Sequence, residues 1–177
     1  MASNYIRTGM QKKGSIYVFG MVLGLLFFST RLRAQEHPPR PISVYVNPAQ
    51  GLIFGAFFQG ITGGSVILYP DGSRSSTGDL VLANLGMPFS PAIFEVDANP
   101  GALISILNGP DVTLTGSNGG TLRLHIGTSS TGTPFIATAV PPNRTEVRIG
   151  GILSAGNALA NPSGVYSGYF AVTFIQE

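Results

Sequence analysis

The chain has no cysteine and no tryptophan among its 177 residues, and its only two lysines, Lys12 and Lys13, lie near the start. Without cysteine there can be no disulfide staple, so an apolar core must hold any fold. An N-terminal lipid on cysteine and a cysteine-based metal site are excluded as well. Without lysine beyond residue 13 there is no phosphate-cradling G-x-x-x-x-G-K loop and no Lys–Asn isopeptide cross-link in the rest of the chain. Helical spacing of apolar residues, sustained over three turns free of Gly and Pro, is also missing.

What is present begins with a leader. Arg7, Lys12 and Lys13 precede an apolar run, Ile16–Phe28, broken only by glycines, and Ser29-Thr30-Arg31-Leu32-Arg33-Ala34 follows. A basic start, a short apolar core and a small residue ahead of the proline-rich Gln35-Glu36-His37-Pro38-Pro39 read as a secretory signal peptide. The run is shorter than the roughly 20 residues a spanning helix needs. Cleavage is expected between Ala34 and Gln35, although Leu32 is not the small residue an ideal site carries. The alternative is a leader retained as an anchor. The expected division is therefore a signal peptide over 1–34 and a single domain over 35–177. The product would be exported: secreted, periplasmic or on the outer cell surface.

Removing the leader changes the charge. Five of the ten basic residues leave with it, so five remain against eight acidic, a net charge of −3. No basic patch is left to bind nucleic acid. The membrane is expected to be met only through the transient leader.

Beyond residue 40 the apolar period is two, the signature of strands. Ile42, Val44 and Val46 alternate with polar residues, and Leu52–Phe58 reads as a strand buried on both faces. Val66 and Leu68 lead through Pro70-Asp71-Gly72 to Leu80–Leu82. Phe94 and Val96 turn at Asn99-Pro100-Gly101 toward Ile104 and Ile106, as in a hairpin. Val112 and Leu114 turn at Ser117-Asn118-Gly119-Gly120 toward Leu122, Leu124 and Ile126. A short strand within Phe135–Val140 and another around Val147 and Ile149 follow. Tyr166, Phe170, Val172 and Phe174 share one face of a long terminal strand. Nine or ten short strands at hairpin spacing predict an all-β fold, an antiparallel Greek-key sandwich of immunoglobulin or pilin-like type. A closed barrel is the alternative.

The order of these signals resembles one family. Ile93-Phe94-Glu95-Val96-Asp97-Ala98-Asn99-Pro100-Gly101-Ala102 is similar to its F-x-V-x-G-x-P-G-A segment, with Ala98 where glycine is frequent. Val112-Thr113-Leu114-Thr115 with Gly119-Gly120-Thr121-Leu122 resembles its V-T-L-T…G-G-T-M hairpin. Gly164-Val165-Tyr166-Ser167-Gly168-Tyr169-Phe170 and Ala171-Val172-Thr173-Phe174 resemble its closing strand, and Leu52-Ile53-Phe54-Gly55-Ala56-Phe57 its L-x-F-G-x-F. The family is the bacterial domain of unknown function 4402. The resemblance implies a secreted or surface β-sandwich, similar to the pilin-like domains of spore-coat and fimbrial subunits, and brings no catalytic residues.

Four groups of residues could carry chemistry. Glu95 and Asp97, two apart on one strand, face the same way, at a spacing an inverting glycosidase pair can use. The plainer reading, the polar face of an amphipathic strand, is preferred. His125 shares its face with Thr121 and Arg123 and is read as solvated, and with only His37 elsewhere a zinc site is not expected. Ser154 fails the spacing of a nucleophile elbow. Asp71, Asp79 and Asp111 lie near turns without a calcium-loop pattern. No catalytic residue, cofactor or metal is therefore expected.

Two functions remain in view. The first is a non-catalytic structural or adhesive surface module, a pilin-like subunit that self-associates or joins other surface proteins by strand pairing. Its candidate pairing residues are Ile42, Val44, Val46, Tyr166, Phe170, Val172 and Phe174. Natural sheets guard exposed edges with lysine, and this domain has none. For the first strand, pairing inside its own domain is the favoured reading. The second is a secreted glycan- or ligand-binding module, in which Tyr45, Tyr69 and Tyr169 stack on sugar rings. A secreted hydrolase ranks third.

Overall fold

The period-two segments become eleven strands: β1 (Ser43–Val46), β2 (Ala56–Leu68), β3 (Arg74–Ala83), β4 (Ala92–Asp97), β5 (Leu103–Asn108), β6 (Val112–Gly116), β7 (Thr121–Ser129), β8 (Phe135–Ile136), β9 (Thr145–Ala155), β10 (Tyr166–Ser167) and β11 (Val172–Gln176). The computed structural model describes residues 40–46 and 50–177, and the leader with its Ala34–Gln35 junction lies outside them. Among the described residues there is no α-helix, and every pairing between strands is antiparallel. Eight strands form one sheet; the other three, in the order β11–β5–β8, form a second.

Strand β9 organises the larger sheet. Along one flank it pairs with β7 from Ile149 to Ser154. Along the other, Thr145–Ile149 pairs with β4 and Gly151–Ala155 pairs with β2. The sheet therefore forks, with β1 outside β4 on one arm and β3 outside β2 on the other. The fork falls at Gly150. A Cβ there would sit 2.2 Å from the carbonyl oxygen of Leu68, so only glycine lets the end of β2 approach β9 so closely.

The core is the inward row of each strand. Val66, Leu68, Val96, Ile104, Val147 and Ile149 are almost wholly buried, each contributing about 1.5–3 kcal/mol of hydrophobic stabilisation. The Phe94 and Phe174 rings, 5.4 Å apart between centroids, join the two sheets.

Three expectations are corrected. Leu52–Phe58 is not one buried strand. Ile53 makes an isolated bridge to Ser90, and Gly55 at φ +72° breaks the run. The guanidinium of Arg74 donates to the carbonyls of Phe54, Ala56 and Ala83 and lies 4.3 Å over the Phe89 ring. Phe58 beyond the break is 57% exposed.

Phe94–Val96 and Ile104–Ile106 do not form a hairpin. The turn closes as expected, Ala102 N–H donating to Asn99 at 3.0 Å, but Gly101 N–H donates to Ala137, and Ala137 N–H to Ala102. Those bonds carry β5 into the second sheet, against β8.

The long terminal strand is divided. Tyr166–Ser167 pairs with β6, the chain crosses over 168–171, and Val172–Gln176 pairs with β5. Alternation in sequence is the same whichever sheet receives the strand, so the switch was not legible there. The Pro70-Asp71-Gly72 and Ser117–Gly120 turns do join hairpins, β2–β3 and β6–β7.

Candidate functional site

Two features of this sandwich can act on another molecule: its open edges and one polar face. Strand β1 is an edge, pairing only with β4 among the described residues, with Val44, Tyr45 and Val46 exposed. Its inner side is fastened. Arg40 bonds Asp97 at 2.8 Å, while Arg144 bonds Glu95 at 2.7 Å and lies 3.6 Å over the Tyr45 ring. The bond to Glu95 raises the affinity of Arg144 for its proton. Glu95 and Asp97 thus each hold a separate arginine. The favoured reading of the first strand, pairing inside its own domain, is what the structure has, and Ile42 falls one residue before it.

The terminal candidates are placed differently. Tyr166, Phe170, Val172 and Phe174 all pack against the core with their side chains, so only the backbone of their strands is left to pair with another chain. Three further edges are β8, β10 and β11, each with one partner among the described residues. The longest edge was missed. The ten-residue β3 pairs only with β2 among the described residues, and its Val81 is 63% exposed opposite Phe58. Its sequence signal was weak, because Ser75, Ser76 and Thr77 do not alternate with apolar residues.

The polar face is the outer surface of the larger sheet. Burial of Leu122, Leu124 and Ile126 turns Arg123 and His125 outward. Registered pairs carry a polar row across five strands: Thr113, Arg123, Ser154, Ser65 and Thr77. Ser65 and Ser154 hydroxyls lie 3.1 Å apart. Asp111, just ahead of β6, takes His125 Nδ1 at 2.7 Å on one oxygen and Arg123 Nε at 2.7 Å on the other. The hydrogen bond from His125, aided by Arg123, holds the Asp111 carboxyl below its ordinary range. His125 is therefore exposed as expected, yet partnered. The partner was legible: the β6–β7 register, carried one residue past Val112↔Leu124, sets Asp111 opposite His125.

Two depressions of about 440 Å³ each flank this cluster. One is lined by Asp111, Thr113, Thr121, Arg123 and Ser154. The other is lined by His125, Asn108, Ile152, Pro70 and the exposed Tyr69. Of the remaining tyrosines proposed for stacking, Tyr45 has one ring face taken by Arg144 and Tyr169 stands 97% exposed; neither lines a depression. Asp71 is spent in its turn, bonding Ser73 N–H and hydroxyl, and Asp79 accepts from the Ile61 and Thr62 amides.

These features define an all-β, two-sheet antiparallel domain with open edges and a polar outer face. The chain belongs to the family described as domain of unknown function (DUF4402), whose model matches residues 44–175. It matches no curated protein and no solved structure.

Proposed function

We propose that this protein is an exported, non-catalytic structural or adhesive surface module that assembles through its sheet edges, in the manner of a pilin-like subunit. The observation that carries the reading is the open edge of β3: ten residues, no lysine, no proline, and one partner strand among the described residues, with an irregularity at Gly78–Asp79 dividing it into two segments. Unpaired edge amides and carbonyls are a template for another strand. The leader supports export to the cell surface, the periplasm or the medium. Partners are further copies or other surface proteins.

The test is sedimentation over a concentration series, for the wild type and for Val81→Lys. A charge on an edge strand disfavours pairing with another chain. Because Val81 is exposed, the variant should keep its fold to within about 0.5 kcal/mol. Concentration-dependent assembly that Val81→Lys abolishes is expected. A wild type that stays monomeric up to its solubility limit overturns the proposal.

A further inference from the structure

The paired depressions lie on the outer face of the larger sheet and use no residue of β1 or β3, so they are independent of pairing through those two edges. We propose that they form a carbohydrate-binding groove for a neutral oligosaccharide, one pyranose unit or more in each depression.

Three properties select that ligand. The first is the donor set. Asp111 engages Arg123 only through Nε and His125 only through Nδ1, which leaves the Arg123 Nη groups and His125 Nε2 for a ligand. Asp111 also fixes both side chains before anything binds, which lowers the ordering cost of recognition. Hydroxyls of Thr113 and Thr121 stand beside Arg123 in the same depression. A fixed planar donor, the Arg123 guanidinium, and a ring nitrogen beside hydroxyls suit the vicinal hydroxyls of a sugar, each of which both donates and accepts.

The second property is the apolar counterpart. Tyr69, Pro70 and Ile152 line the other depression. They offer an aromatic face and aliphatic surface for the C–H face of a pyranose ring. Gly127 of β7 and Gly151 of β9 line the same depression. No side chain from either fills the space between His125 and Tyr69–Pro70.

The third is charge and shape. Asp111 cancels Arg123, so a phosphate, sulfate or uronate would meet a carboxylate at the centre of the site. Each depression falls in the range of about 300–1,000 Å³ typical of ligand sites. Both open to solvent on the outer face of the sheet, which favours an extended polymer over an enclosed small cofactor.

The experiment uses the chain purified after expression with its own N-terminal segment, labelled with nitrogen-15. Hexamers of glucose, mannose and N-acetylglucosamine are titrated, with a galacturonate hexamer as the acidic counterpart. At least one neutral hexamer should shift the amides around Arg123, His125 and Gly127. The matching monosaccharide should bind roughly tenfold more weakly or worse, because it fills one depression only. Tyr69→Ala and Arg123→Ala, at opposite ends of the groove, should each weaken hexamer binding by about tenfold or more. Tyr169→Ala should not weaken it, and the amide spectrum reports whether each variant is folded. The proposal fails if no neutral hexamer binds, if only the galacturonate hexamer binds, or if the shifts map to another surface.

Discussion

Asn161 is the one buried polar side chain among the described residues, and it fastens the loop after β9. Its Oδ1 accepts from Gly156 N–H at 2.5 Å, and its Nδ2 donates to the Thr121 carbonyl. Asn161→Ala strands both backbone groups, so a loss of about 1–3 kcal/mol is expected in urea unfolding. The pattern around it, Asn157 through Pro162, reads in sequence only as loop, because nothing local indicates that one amide will be buried against β7. Asp111 gives a pH prediction. Its folded pKa is lowered, chiefly by the bond from His125. Its contribution is therefore complete above the unfolded carboxylate value near 3.8 and is lost as pH falls through the lower folded value. Thermal melts from pH 7 downward should show Asp111→Asn less stable than wild type at neutral pH. The gap should close in that acidic window, and an unchanged gap at the lowest pH would count against the pairing.

Among elements, β9 governs the fold, and its behaviour depends on Gly150. Gly150→Ala places a methyl against the Leu68 carbonyl, so the β2 arm must move away from β9. A cost of about 1–3 kcal/mol is expected, of the kind overpacking imposes, read as a lower denaturation midpoint. Slower amide exchange in β4 than in β2 would place the damage on the β2 arm. Strand existence was largely legible in sequence: the alternations at Val44–Val46, Phe94–Val96, Val112–Leu114 and Leu122–Ile126 all became strands. Which strands meet was legible only where a tight turn joins them, as at Pro70–Gly72 and Ser117–Gly120. Asn99–Gly101 is an equally clear turn, yet its flanking strands part, because the bonds to Ala137 outweigh local pairing. The same reason hides the groove. Thr113, Arg123, Ser154 and Ser65 are distant in sequence and align only once β9 lies between β7 and β2.

For the whole molecule, the fork puts two unequal edges on one flank of β9. The β3 edge is ten residues long and the β1 edge four. An antiparallel β3–β3 contact between copies is isologous and closes on itself as a dimer, whereas a second contact through β1 lets dimers add without limit. Backbone hydrogen bonds scale with the length paired, so the β3 contact should form first and the β1 contact only at higher concentration. Val44→Lys should therefore stop assembly at the dimer, since it charges only the short edge. Val81→Lys should leave monomers, because a four-residue contact has too little area to hold a pair alone. Sedimentation of both variants, with electron microscopy of the wild type for filaments, distinguishes this order from its reverse. Loss of the dimer in Val44→Lys would make β1 the primary contact and leave β3 an idle edge.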